Sequence, residues 1–492
     1  MNSRHRQTEA SSDAPWREPG RELLHGLEVA TLVQVGVLLL FASWAFGGGT
    51  DWARLLLSCW GSLGGLITLA SVLHFRRRGD GRLRPLRWLW PLAAFNVLVL
   101  VSCLNPSFSE RFFAGQSLLA YTGAAHSWLP STAHPPTSLE HLWLFDAVYL
   151  SCFNLVLVIR RRRALRGLLV AACANGVALS IFGTFQNLTS DGLYFGRVPS
   201  PNPRFFSTFV YANHWAAFIL LFMAACAGLI SYQARHQPDN RLAGSPLAMG
   251  IVSLLLMAMT PTIGGSRSGT LLVMILLGGC VGHAFIRIRR QRRSAGESAA
   301  LAVGGLALCV VLAAGTAAYL GRVTLRERWH DTQGQWQAGM TGERLKLYAD
   351  TWHLAADRPF SGWGLGCFDK ALLLARPRPL EARRQYEHSY VDAHSDWLQS
   401  LAEVGFAGTI LIGLCGLLPL QDLWAARHLG SLSAYLLAGC GLILLYAVVE
   451  FPFGNPAVVI AFWTCFFCAV RHGRRPGCPP GVESSSHASP MP

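Results

Sequence analysis

Long apolar runs separated by short polar segments recur along almost the whole chain. About twelve of them have the length of a membrane span, and they cover residues 27–46, 53–75, 88–104, 142–159, 165–186, 208–231, 245–262, 269–286, 299–320, 400–420, 431–449 and 456–470. A helix of about 20 apolar residues crosses about 30 Å of hydrocarbon and satisfies its own backbone hydrogen bonds. The pattern therefore predicts an all-α polytopic membrane protein of about twelve transmembrane helices, with a large helical loop between spans nine and ten.

Composition and charge support this prediction. Of the 492 residues, 52% are hydrophobic and only 14% are charged, which excludes an ordinary soluble domain. The net charge of +15 would suggest nucleic-acid binding in a soluble protein, but its placement indicates otherwise. The arginines cluster in alternate connections, within residues 76–87, 160–166, 235–241, 287–293, 427 and 471–475. The positive-inside rule predicts that these connections and both termini are cytoplasmic.

The polar segments divide the chain into five predicted parts. Residues 1–26 form a cytoplasmic N-terminal tail, 27–320 contain spans one to nine, 321–399 form a periplasmic loop, 400–470 contain spans ten to twelve, and 471–492 form a disordered cytoplasmic tail. The external connection 105–141 is also long, but its His126, His134 and His141 lack the regular spacing of metal ligands. No metal site is predicted there.

The 321–399 loop has the character of a soluble domain and is predicted to be helical. In "GERLKLYADTWHLAADRP", Leu345, Tyr348, Trp352 and Ala355 recur at spacings of three and four, which predicts one apolar face. Further on, "DAHSDWLQSLAEVGFAG" predicts a helix that carries His394 and continues into span ten. Asp392 is a candidate cap for this helix. His394 is therefore expected near the outer membrane surface.

This last stretch resembles the signature of bacterial O-antigen ligases and related polysaccharide polymerases. The signature is a histidine, then Asn, Ser or Gln, nine residues, a glycine, two residues, and Gly, Thr or Tyr. Here it is met by His394, Ser395, Gly405 and Gly408. The stretches "FSTFVYANHWAAF", "SRSG" and "GERLKLYADTWHLAADRPFSGWGLGCF" are also similar to the family, and the resemblance covers roughly residues 180–455.

The resemblance implies glycan transfer from undecaprenyl-pyrophosphate to a sugar hydroxyl, of lipid A–core or another surface glycan, at the periplasmic face of the bacterial inner membrane. It implies that His394 is the base and that Arg204, Arg267 and Arg344 bind the donor pyrophosphate. No metal or other cofactor is expected, and the chain has no Asp-x-Asp pair. Guanidinium groups can stabilise a departing pyrophosphate, and neutral imidazole suits proton removal from an alcohol. Attack by that alcohol would invert the anomeric carbon.

Several alternatives stay open on the sequence alone. Arg267 could merely snorkel at a helix end, and Arg204 could be a solvated turn residue. Glu450 beside span eleven is costly unless it is paired, so an arginine partner and a role in orienting the base are both open. Asn213 also matches the family, although its role is undefined. A polymerase fits the same motifs as a ligase, whereas a transporter would be expected to show internal repeats.

Overall fold

The structure is a computed structural model, and it describes residues 19–79, 81–113, 116–190, 192–202, 204–236, 246–294, 300–320, 322, 326, 343–375, 390–425 and 429–473. Its helices are α1 (Pro19–Trp44), α2 (Asp51–Arg77), α3 (Trp90–Cys103), α4 (Pro135–Leu157), α5 (Arg162–Thr189), α6 (Ala212–His236), α7 (Pro246–Ile263), α8 (Arg267–Ser294), α9 (Ala300–Leu320), α10 (Glu343–Asp357), α11 (Phe368–Ala375), α12 (Asp396–Ala425), α13 (Ser431–Tyr446) and α14 (Pro456–Gly473). Short 3-10 turns occupy Phe46–Gly48, Gly81–Leu89 and Pro452–Gly454.

The all-α class and the multi-pass character are confirmed. Each of the twelve predicted spans coincides with one helix. Within the described residues, nine helices are long and apolar enough to cross a membrane, and α13 is a shorter apolar helix. The number twelve stays a prediction. The only strands among the described residues form two small antiparallel hairpins, β1 (Phe108–Phe113) with β2 (Gln116–Tyr121) and β3 (Leu193–Tyr194) with β4 (Val198–Pro199).

The predicted tails are only partly described. Residues 19–26 of the predicted N-terminal tail already belong to α1. Residues 1–18, 376–389 and 474–492 lie outside the described residues, as do residues 321–342 with the exception of 322 and 326.

Helices α6 and α14 form the centre of the bundle. In the apolar stretch of each helix, 83% of the residues of α6 and 89% of those of α14 are buried, against 17% of those of α8. Small residues allow close packing elsewhere, because a Cβ placed on Gly64 of α2 would lie 2.5 Å from Ser151 Oγ of α4. Such close approach is how helices associate where lipid removes the hydrophobic driving force.

The two ends of the bundle differ in chemistry. At one end, basic side chains bind carbonyl groups of neighbouring helices. Arg471 Nε donates to the carbonyl of Ile159 at 2.7 Å, and Arg287 Nη1 donates to that of Ser231 at 3.3 Å. The opposite end carries α10, α11 and the start of α12, which enclose a small core of buried residues, among them Leu347, Leu354, Trp363, Cys367, Phe368 and Ala393.

The predicted apolar face of α10 is wrong in part. Leu345 and Trp352 are 68% and 51% exposed, whereas Leu347 and Leu354 are buried. The helix has apolar residues on two sides, and its spacing alone does not say which side packs against protein. Next to a membrane, an apolar face need not contact protein, because it can contact lipid.

Candidate active site

His394 lies before α12 rather than on it, so the predicted helical position is wrong. Its φ is +54°, a left-handed conformation that costs a residue other than glycine of order 1–3 kcal/mol. The helix is capped by Ser395, whose Oγ accepts the N–H of Leu398 at 3.4 Å. Asp392 is not the cap. Asp392 lies four residues before Asp396, the first residue of α12. The Asp392 carboxylate is next to Gly454 instead, with Oδ1 3.6 Å from the position that a Cβ on Gly454 would take.

Hydrogen bonds on both sides hold this strained turn. Tyr348 of α10 donates its hydroxyl to the carbonyl of His394 at 2.9 Å. On the other side, the N–H of Asp396 donates to the carbonyl of Ala447 at 3.0 Å, and Asp396 Oδ2 accepts the N–H of Phe453 at 2.9 Å. The backbone at His394 is therefore fixed against the segment between α13 and α14.

That segment presents Glu450 to the imidazole. The Glu450 side chain is only 5% exposed, and its Oε2 lies 3.8 Å from His394 Nδ1. Its Oε1 lies 3.4 Å from Arg344 Nη2 of α10. Burial would raise the pKa of Glu450, but His394 and Arg344 outweigh burial and hold that pKa below its ordinary value. Glu450 is therefore a carboxylate at neutral pH.

The starts of α6 and α8 meet at the same carboxylate. The Asn213 side chain lies close enough to Glu450 to help lower the pKa of that carboxylate. Ser266 Oγ donates to Asn213 Oδ1 at 2.8 Å. Because the amide oxygen is occupied in this way, the amide N–H groups of Asn213 are available to the carboxylate. Three distant parts of the chain thus surround Glu450.

Arg267 is the first residue of α8 and is exposed at this end of the bundle. Its neighbour Ser268 donates to the hydroxyl of Tyr446 at 3.3 Å. Tyr446 lies one turn before Glu450, whose N–H donates to the Tyr446 carbonyl at 3.0 Å. The backbone of Arg267 therefore lies close to the segment that carries Glu450.

Arg204 lies in the segment that leads into α6, and His214 lies in the first turn of α6. Arg204 is exposed, and its carbonyl accepts the N–H of Ala212 at 3.1 Å. His214 is buried, and its Nε2 is 3.1 Å from the carbonyl oxygen of Phe451. The Phe451 ring stands edge-to-face between the His214 and His394 rings, with centroids 4.8 Å from each. Arg204 is thus anchored through its backbone to the helix that holds Asn213.

Gly405 and Gly408 lie within α12 and not at the carboxylate. Gly405 has φ +63° and ψ −172°, which only glycine adopts readily, and it breaks the helix. At the break, the N–H of Phe406 donates to the carbonyl of Pro359 at 2.7 Å. A Cβ on Gly408 would lie 3.4 Å from Leu98 of α3. These glycines therefore shape the helix that carries the site.

Sequence reasoning missed three contributors. Tyr348 appeared only as part of an apolar face, although it lies one helical turn after Arg344. Ser266 directly precedes Arg267, so its position next to a singled-out residue was an available signal. Phe451 gave no signal, because an aromatic residue beside an apolar span is ordinary.

The histidines of the 105–141 connection have local partners. His134 caps α4 by accepting the N–H of Thr137, and His141 Nδ1 lies 2.9 Å from the Thr137 carbonyl oxygen. Within the described part of the chain, no group of three or more His, Cys, Asp or Glu side chains is arranged to hold a metal ion.

Comparison with known families matches residues 252–413 to the family described as O-Antigen ligase. Residues 252–413 are therefore similar to an O-antigen ligase domain. The resemblance read from the signature is confirmed by this match, and the domain includes Arg267, Arg344 and His394. A comparison with curated proteins finds no match.

The O-antigen ligase domain assigns the chain a general role in lipopolysaccharide biosynthesis. Its family consists of glycan-processing enzymes that act on lipid-linked glycans and a glycan acceptor. Together with the apolar helices, the domain identifies a multi-pass membrane protein of glycan assembly.

Proposed function

We propose that this protein is an O-antigen ligase that transfers a glycan from undecaprenyl-pyrophosphate to a sugar hydroxyl of lipid A–core or another surface glycan. One observation carries the proposal. The imidazole of His394 lies 3.8 Å from a buried carboxylate, Glu450, at the end of the bundle where Arg267 and Arg344 also lie.

His394 is the base of this reaction. A carboxylate next to Nδ1 favours the tautomer that carries its proton on Nδ1, which leaves Nε2 free to accept a proton. Once Nε2 takes the proton of the acceptor hydroxyl, the negative Glu450 stabilises the imidazolium. The 3.8 Å separation is loose, but catalytic hydrogen bonds are often long before substrate binds.

The arginines bind the donor. The acceptor oxygen attacks the anomeric carbon, the bond from that carbon to the pyrophosphate oxygen breaks, and undecaprenyl-pyrophosphate leaves with the electron pair. Arg204 and Arg267 stabilise the growing negative charge by bidentate contacts, without a metal ion. In-line attack inverts the anomeric centre. Arg344 also binds the donor. Its guanidinium pairs with Glu450, but its side chain is 56% exposed and therefore stays accessible to the pyrophosphate.

The site lies at the periplasmic face of the inner membrane in this proposal. The positive-inside rule supports it, because the arginine-rich ends of α4, α6, α8 and α14 gather opposite the site. Residues 321–399 are then periplasmic, both termini are cytoplasmic, and the site meets lipid-linked glycan after export.

A polymerase is the alternative, since the family match supports either type of transfer and the acceptor alone differs. Deletion of the gene followed by analysis of surface glycan separates the two. Loss of attachment with accumulation of lipid-linked polymer identifies a ligase. Single-repeat glycans identify a polymerase. Unchanged surface glycan would contradict both.

The catalytic role of His394 is tested by transfer with purified protein. We expect His394→Ala and His394→Gln to lower the rate about 10²–10⁴-fold with donor binding retained, because removal of a general base has that cost. His353→Ala is the matched control, since His353 is an exposed histidine of α10. Wild-type transfer by His394→Ala, or loss of wild-type transfer on adding chelator alone, would refute the mechanism.

A further inference from the structure

A chain of hydrogen bonds links the residue before His394 to a buried carboxylate at the helix break. The N–H of Ala393 donates to Gln399 Oε1 at 3.0 Å. Gln399 Nε2 donates to Glu403 Oε1 at 3.0 Å. Glu403 Oε2 accepts the N–H of Gly366 at 2.8 Å. Both ends of the Gln399 amide are therefore used, and Glu403 is 7% exposed.

The far end of this chain is rigid. The N–H of Gly364 donates to the carbonyl of Glu403 at 2.8 Å, so the 362–366 turn is bound to α12 through backbone and side chain alike. A Cβ on Gly362 would lie 2.3 Å from the Glu403 carbonyl carbon, so the two backbones are in close contact there. Glu403 is thus a fixed anchor one turn away from Gln399.

We propose that Gln399, anchored by Glu403, is a positioning residue that aims the imidazole of His394 at Glu450. The inference rests on the proposed role of His394 as the base. A left-handed residue other than glycine persists only where its surroundings impose that conformation. Gln399 imposes it from the N-terminal side of His394, where Ala393 is fully buried, and Tyr348 imposes it from the carbonyl of His394.

The amide is needed because it lies among acidic groups. Besides Glu403, Asp392 lies close to it; burial raises the pKa of Asp392, and the Gln399 amide opposes that rise. The charged and titratable groups that face this cluster are Asp392, Asp396, Glu403, His394, Arg54 and Asp369. A carboxylate in place of Gln399 would still accept from Ala393, but it could donate to neither acid while ionised.

Two variants test the inference by transfer kinetics and thermal unfolding. Gln399→Met loses both bonds, and we expect kcat to fall about 10–100-fold with the KM for the lipid-linked donor within about twofold, as for a misaligned catalytic group. Gln399→Glu should lose more at pH 8, and its deficit relative to wild type should shrink towards pH 6 as a protonated carboxyl regains a donor. The deficit of Gln399→Met should change less with pH, because methionine does not titrate.

Gln421→Met is the control, since Gln421 is an exposed glutamine of the same helix. Unchanged kcat in both Gln399 variants would overturn the inference, as would a fall in kcat that only follows lost folded protein. If His394→Ala retains transfer, the proposed base fails. If His394→Ala is inactive while Gln399→Met is normal, the positioning role alone fails.

Discussion

At the scale of single residues, the site depends on the buried carboxylate of Glu450. An acid beside an apolar span is costly unless paired, so the sequence alone singled it out. Its partners were not predictable, because Arg344, His394 and Asn213 are distant in the chain and one sequence does not indicate pairings. The structure shows both contacts that had been left open, the arginine and the imidazole.

The lowered pKa of Glu450 makes stability depend on pH. A carboxylate with a depressed folded pKa stabilises the fold above its ordinary pKa of 4.5, and this contribution is lost as pH falls through the lowered value. We therefore expect Glu450→Gln to lower the free energy of unfolding by about 1–3 kcal/mol at pH 7. This gap in stability between the variant and wild type should close below pH 4.5. Thermal unfolding in detergent measures it. Glu140→Gln, at an exposed acid of α4, is the control. A gap that widens in acid would contradict the assignment.

Arg267 tests whether geometry or charge matters for the donor. Lysine keeps the charge but lacks the planar fork of arginine, so Arg267→Lys should lower transfer nearly as much as Arg267→Ala. Transfer rates at matched membrane levels measure the effect. Arg290→Lys is the control, because Arg290 is exposed at the opposite end of α8. Full activity of both Arg267 variants would show that this side chain only snorkels.

At the scale of elements, helix positions followed from the apolar pattern, whereas their irregularities did not. The run at 400–420 predicted a helix, and α12 occupies it. The break at Gly405 depends on the 359–366 segment that packs beside it, and the left-handed His394 depends on Tyr348 and on the segment between α13 and α14. The prediction for α10 was wrong in part for a related reason. Periodicity shows on which side of a helix apolar residues lie, but not which element of the protein packs against that side.

The break in α12 predicts an unequal response to alanine. Gly405→Ala should destabilise by about 1–3 kcal/mol from backbone strain alone, and its Cβ would also lie 2.3 Å from the Phe360 carbonyl carbon. We expect a lower unfolding temperature and reduced transfer. Gly413→Ala in the same helix meets nothing within 4 Å and should leave both unchanged. Equal behaviour of the two variants would mean that the break is not required.

At the scale of the whole molecule, the fold separates two kinds of arginine. Those at the basic end bind helix carbonyls, as with Arg287 and Arg471. At the other end, Arg344 contacts Glu450, and Arg204 and Arg267 are exposed. The alternation of basic loops along the sequence was enough to predict this separation. The meeting of α6, α8, α10 and α12 on one carboxylate was not predictable, because it results from tertiary packing.

The separation leads to a topology prediction. Because the basic end should face the cytoplasm, Phe360→Cys between α10 and α11 should react in intact cells with a thiol reagent that reaches only the periplasm, as Phe360 is 78% exposed. Arg290→Cys should react only after lysis. Wild type gives the baseline, since Cys59 is exposed. The opposite pattern would place His394 in the cytoplasm, away from exported lipid-linked glycan, and the proposed reaction could not occur there.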